Sequence, residues 1–269
     1  MYLFGRTSVV AALAVVAVCS IGNAQQFVMQ CNPLGSAATH PAIDNTCPIG
    51  GSSSPGSAEY KQNKVKNNFC ASNSVKDITI NQLADMQANT NQILRDRGQQ
   101  DGEPPTDRSI FGAQAVGSSH EGDLVRLTGY VFEAHTADFE ETGESVNCGW
   151  GLNSKSKNVA PNATVAKIHN DIHIALVATK SDDECSSVTA EISPHMRPAK
   201  WTETTVGGLK GKWVRVTGQL MYDGNHLVCA GGVAASGSPA RQSKWEVHPV
   251  YKLEVCESGS CTDAQWKPL

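Results

Sequence analysis

Short runs in which Val, Ile or Leu alternates with polar residues fill the second half of this chain, each closed by Gly, Pro, Asn or Asp. Such alternation predicts strands with one face on a core, because successive side chains of a strand point to opposite sides of the sheet. Strands are expected at residues 124–134, 146–152, 172–179 with 187–192 as a doubled third strand, 213–222 and 245–255. Two of them repeat one another: Gly122-Asp-Leu-Val-Arg-Leu-Thr-Gly129 and Gly211-Lys-Trp-Val-Arg-Val-Thr-Gly218. Each is entered from a glycine turn, with Val125, Leu127, Val214 and Val216 facing a core and Arg126, Thr128, Arg215 and Thr217 facing outward. The closing glycines mark bends where a strand curls.

Curled strand, intervening strands, a spacer at residues 198–209, a second curled strand and a last strand form the order of a five-stranded OB-type barrel; a β-sandwich is the competing architecture. The first half differs in kind. Residues 25–107 are poor in apolar runs, and the Gly, Ser and Pro-rich stretch 48–57 reads as a flexible connection. Ile80, Leu83, Met86 and Ile93 fall at helical spacing behind Asp77, an expected N-cap, and predict one amphipathic helix over residues 78–97. The fold class expected is therefore mainly β: an OB-type barrel at residues 108–256, a small helical, disulfide-bonded N-terminal appendage, and a C-terminal tail at 257–269.

Residues 1–24 read as an export signal: Arg6, then an apolar run too short to span a bilayer, then small residues ending at Ala24. A lipid-modified Cys19 is the minority alternative. Cleavage after Ala24 implies a secreted or periplasmic protein with no membrane span in the mature chain. Of the 9 cysteines, the eight after Cys19 are then expected to pair in an oxidising compartment. Nearness in sequence favours Cys31 with Cys47 and Cys256 with Cys261, leaving Cys70, Cys148, Cys185 and Cys229 to be shared. Zinc ligation is the rival, but no close Cys-x-x-Cys pair supports it. With 22 basic and 26 acidic residues the formal charge is −4, which gives no strong nucleic-acid footprint.

Five segments, GESVNC (143–148), DIHIAL (171–176), AEISPHMR (190–197), VTGQLMYDGNH (216–226) and RQSKWEVHPV (241–250), resemble a family of exported bacterial proteins of unestablished activity that resembles OB-fold barrels. The similarity implies the barrel and no activity. The spacer at residues 227–240, with Cys229 and two consecutive glycines, departs from that pattern.

Within these segments Asp171 and His173 share one strand face, opposite Ile172 and Ile174; Glu246 and His248 repeat the device on the last strand, and Glu191 stands between Ala190 and Ile192. Two imidazoles and three carboxylates on one surface suffice for a divalent metal such as zinc, or for an acid/base pair, with Glu191 at the edge and the cluster partly open to solvent. The plain alternative is that these positions form the solvated face of a half-buried sheet. His169 and His173 lie roughly 13 Å apart on an extended strand and are not expected to share a metal. Arg197, Arg215 and Arg241 are the candidates for contacting an anionic ligand, or else pair on the surface with Glu191 and Glu246. Asp223-Gly224 reads as a hairpin turn, and Trp201, Trp213 and Trp245 as anchors of core and rim. Two functions follow: a barrel that binds an unknown ligand, or a metal-dependent hydrolase of the phosphodiesterase or nuclease class.

Overall fold

The computed structural model describes residues 42–72, 74–113, 119–195, 197–235, 238–258 and 260–269, with Phe27, Cys31 and Pro33. The export signal expected at residues 1–24 lies outside the described residues. In chain order the helices are α1 Ala58–Lys66, α2 Ile80–Asp96, α3 Ile110–Ala113, α4 Ala163–Ile168 and α5 Glu203–Gly207. The strands are β1 Lys76–Ile78, β2 Leu124–Thr136, β3 Trp150–Gly151, β4 Asn158–Val159, β5 Ile172–Val177, β6 Val188–Ile192, β7 Trp213–Tyr222, β8 Trp245–Cys256 and β9 Lys267–Pro268.

Strands pair in the order β2-β5-β6-β8-β7, and β7 returns to β2, which closes a five-stranded barrel of OB type. The pairings around it are antiparallel except β6 with β8, which run parallel and meet at Ala190 and Val247. A closed sheet has no edge within the ring, and β2 and β8 still each carry an added short strand, β1 and β9. Gly122 and Gly211, at φ of 92° and 73°, enter β2 and β7 through turns that a side chain would strain. Val125, Leu127, Val214 and Val216 are all fully buried, as their alternation requires. Helix α2 packs on β2 and β8, and its Ile80, Leu83 and Met86 join the core.

Several expectations are corrected. Residues 146–152 form no barrel strand: a 3₁₀ turn at Ser145–Asn147 and the two-residue β3 stand there, and β5 and β6 are the second and third strands rather than one doubled strand. Helix α2 starts at Ile80 because Thr79 and Gln82 make a capping box, while Asp77 is held by Arg126. Asp223-Gly224 makes no hairpin: β7 ends at Tyr222 and β8 begins only at Trp245.

Cys31 joins Cys70 and Cys47 joins Cys148, so the expected Cys31–Cys47 bridge is absent; Cys185–Cys229 and Cys256–Cys261 complete the set. Nearness in sequence failed because Cys47 packs with Ile43 and Trp150 against the 3₁₀ turn. Its bridge closes a separation of 101 residues, which in the chain-entropy account contributes about 4–5 kcal/mol. The stretch 48–57 is likewise no loose connection. Gly51, at φ 61°, lets the backbone approach Ser145 so closely that a Cβ would lie 2.1 Å from its carbonyl oxygen.

Arg215 is also covered rather than outward. Its guanidinium makes a two-pronged pair with Glu254, at 2.8 and 3.0 Å, reaches Asp263 at 2.7 Å and lies over the Trp266 ring. The C-terminal residues fold back over β8 and bury it. Val214→Asp is expected to prevent folding, and Arg215→Ser to cost about 1–2 kcal/mol, both read by urea denaturation; a Val214→Asp protein with wild-type stability would contradict the register.

Candidate metal centre

The barrel's register brings the polar positions of three strands together. His173 on β5 lies directly opposite Glu191 on β6, and the parallel contact of Ala190 with Val247 sets Glu191 beside Glu246 and His248 on β8. Asp171 precedes β5. Its neighbour Asn170 donates to Trp150 O and Ala166 O and accepts from the Glu144 backbone N–H, which pins the GESVNC loop beside the strand. Glu144 thereby joins the cluster from outside the strand pattern.

Two groups result, each with donor atoms within 4.8 Å of one another: Glu144, Asp171, His173 and Glu191, and Glu191, Glu246 and His248. Either set can chelate a divalent ion, and Glu191 belongs to both. Its Oε1 lies 3.2 Å from His173 Nε2 and its Oε2 2.6 Å from His248 Nδ1. His248 Nε2 faces Asp171 Oδ2 at 3.7 Å, and Glu144 Oε1 is 3.5 Å from His173 Nε2.

Orientation favours ligation. His173 Nδ1 is 3.1 Å from the Ser238 carbonyl, which only accepts, so Nδ1 carries the hydrogen and Nε2 points at the carboxylates. Oε2 of Glu144 accepts from Asn147 Nδ2 at 3.3 Å and the Asp171 backbone N–H at 3.4 Å, leaving Oε1 toward the group. Arg241 holds Glu246 Oε2 at 3.1 Å and leaves Oε1 toward His248. Neither carboxylate oxygen of Asp171 meets a hydrogen-bond donor among the described residues. Buried polar atoms without partners are costly. Oxygen and imidazole donors in this number suit zinc, manganese or iron, so the residues fit such an ion.

The cluster is buried except at Glu144, whose side chain is 11% exposed. Asp171, Glu191, Glu246 and His248 are 0% exposed and His173 3%, which overturns both the expected opening to solvent and the solvated-face alternative. Glu191 lies at the centre, not the edge. The cover is α1, whose buried side chains are Gln62, Asn63 and Lys66. Lys66 Nζ reaches Asp223 Oδ2 at 2.7 Å and Glu191 Oε2 at 3.5 Å, and Gln62 donates to Asp223 Oδ1 at 2.9 Å.

Charges held this close reset one another. Burial opposes the imidazolium of His173, yet Glu191 and Glu144 outweigh it and raise its pKa to about 10; His248 is raised to about 10 by Glu191 and Asp171 against the same burial. Burial, reinforced by Glu144, lifts Asp171 to about 7, and burial with Glu191 lifts Glu246 to about 7. For Glu191 burial is overcome by His173, Lys66 and His248, which hold it well below the carboxylate range. Lys66 is held well above its ordinary value because Asp223, Glu191, Glu246 and Glu144 outweigh its burial.

The five residues expected as ligands, Asp171, His173, Glu191, Glu246 and His248, thus converge. Of the three arginines only Arg241 joins them, in a buried rather than surface pair with Glu246. Arg197 donates to the carbonyls of Lys167, Ile168 and Asn170, and Arg215 serves the C-terminal segment. His169 caps α4 and stacks on Trp150. Glu144, Lys66 and Asp223 were missed. Glu144 had a signal, its place in GESVNC; Lys66 sits in a polar helix that no hydrophobic period marks.

No family model, curated protein or solved structure matches this chain. The likeness to exported proteins rests on its motifs alone, and the barrel is the part of it that the structure bears. No helix among the described residues is long and apolar enough to cross a membrane.

Both histidines have folded pKa values of about 10 against an ordinary 6.5, so in chelator they favour the fold below pH 6.5 and lose that contribution as pH rises to 10. The melting temperature of metal-free protein is expected to fall across that interval; a flat profile would show that the histidines are neutral in the fold.

Proposed function

We propose that this protein is a metal-dependent hydrolase of phosphoesters, working through a divalent ion held by Glu144, Asp171, His173 and Glu191. The observation that carries the reading is Glu191, a fully buried carboxylate shared by two ligand groups with a different oxygen turned to each imidazole. Carboxylates and imidazoles without thiolates are the donors of hydrolytic metals, and a carboxylate between two positions is a device of sites that act on phosphate oxygens. A divalent ion supplies polarisation of a phosphoryl oxygen and a water of lowered pKa. The chain's own residues fix the donors: Ser238 O sets the His173 tautomer, Arg241 turns Glu246, and Asn147 turns Glu144. Glu144, with a side chain 11% exposed, is the member of the group most open to solvent. Four disulfides support an exported protein in an oxidising compartment.

A second reading, a barrel that binds an unknown ligand and uses the cluster only to brace its N-terminal segment, is favoured by one observation. Lys66 and Arg241 already place two cations against Glu191 and Glu246. Manganese or zinc separates the two. Binding at about 100 times Kd stabilises a fold by about 2.7 kcal/mol, so the metal is expected to raise the melting temperature and switch on hydrolysis of bis(p-nitrophenyl) phosphate. Both effects are expected to vanish in His173→Ala and Glu191→Gln proteins. A thermal shift without hydrolysis would remove the enzymatic reading, and no shift would return the second one.

A further inference from the structure

The two ligand groups differ in what already stands beside them. The first, Glu144, Asp171, His173 and Glu191, offers four donors, and the cationic groups facing its Glu144 and Asp171 are the imidazoles of His173, at 3.5 Å, and His248, at 3.7 Å. The second, Glu191, Glu246 and His248, offers three donors. Glu246 Oε1 and His248 Nδ1 are buried and turned into that group, Nδ1 lying 2.6 Å from Glu191 Oε2 and 3.5 Å from Glu246 Oε1, while His248 Nε2 is buried with no hydrogen-bond partner among the described residues. Yet its Glu191 oxygen, Oε2, is the one that Lys66 approaches, at 3.5 Å.

That ammonium comes from outside the barrel. Lys66 is in the last turn of α1, and α1 turns polar side chains, Gln62, Asn63 and Lys66, inward against the sheet. Asn63 donates to Ser145 Oγ at 3.2 Å, Ser145 Oγ donates to Glu59 at 2.7 Å, and Gln219 Nε2 donates to the Val65 carbonyl at 2.8 Å. The segment is tied down beside the cluster by Cys47–Cys148, one residue beyond Asn147. Helix α1 is thus held to the barrel by hydrogen bonds and by the buried ion pairs of Lys66 rather than by an apolar stripe. What it leaves when lifted is a group of three donors around Glu191 Oε2 that has lost one positive charge.

We propose that Glu191, Glu246 and His248 are a second divalent-metal position for which the Lys66 ammonium is a built-in substitute, so that the N-terminal segment decides whether the centre holds one ion or two. This rests on the metal reading of the first group. An ammonium and a divalent ion compete for the same oxygen because two cations at that distance repel strongly in a buried site. Arg241 does not compete, since it occupies Oε2 of Glu246 and leaves Oε1 toward His248.

Metal stoichiometry tests this on the full chain, by calorimetric titration of manganese with circular dichroism to verify folding. The wild type is expected to bind one equivalent and Lys66→Met two. Lys66→Met/Asp223→Asn, which also removes the carboxylate that Lys66 would leave behind, is expected to bind two as well. Lys66→Arg, which keeps the charge, is expected to stay at one. One equivalent in every variant would overturn the substitute role and leave the first metal position standing; two in the wild type would overturn it as well. Unfolding of both Lys66→Met proteins would make the ammonium a structural counter-ion and equally overturn the proposal. No binding in any of them would instead refute the metal reading itself.

Discussion

Five carboxylates, Glu144, Asp171, Glu191, Asp223 and Glu246, meet at one face of this barrel under a cover of chain, and their mutual repulsion governs what may stand near them. Negative charge removed from water must be neutralised by cations, by protons or by a metal. Lys66 and Arg241 supply two cations, and the remainder falls to His173 and His248, pushed toward the imidazolium form, and to Asp171 and Glu246, pushed toward the neutral acid. A divalent ion does the same work as two imidazolium protons and satisfies the Asp171 oxygens, which no donor reaches among the described residues. The fold thus gathers a donor set that could hold a metal in place of those protons.

The barrel topology creates this convergence. In a closed five-stranded ring of this order, the parallel contact between β6 and β8 joins the third strand to the last, and the antiparallel β5–β6 pair sets His173 against Glu191. Polar residues at alternate positions of three strands therefore share one face, while Ile172, Ile174, Ala190, Ile192 and Val247 fill the interior. The same alternation that builds the core builds the site on its reverse side. Covering that reverse side needs a segment with polar rather than apolar contacts, which is what α1 provides.

Period-two alternation made β2, β7 and β8 legible, because each has one face on the core and the repeated Gly-x-x-Val-Arg-x-Thr-Gly segments announce the same bent strand. It also grouped Asp171, His173, Glu191, Glu246 and His248, since strand neighbours at even spacing share a face. Their burial was not legible: alternation reports that one face is apolar and says nothing of what lies over the other. Lys66 escaped for the same reason, its helix carrying no hydrophobic stripe, and Asp223 was masked by a following glycine that usually signals a turn. Cys47 with Cys148 depended on long-range packing, which spacing along the chain does not encode.

The most direct test is a crystal of the protein grown with manganese, with anomalous scattering recorded at a wavelength that identifies the metal. The account predicts a peak at coordination distance, roughly 2.0–2.2 Å for the related zinc–oxygen and zinc–nitrogen bonds, from Glu144, Asp171, His173 and Glu191 together. A cluster that keeps its ion pairs and shows no anomalous peak among these four side chains would contradict it.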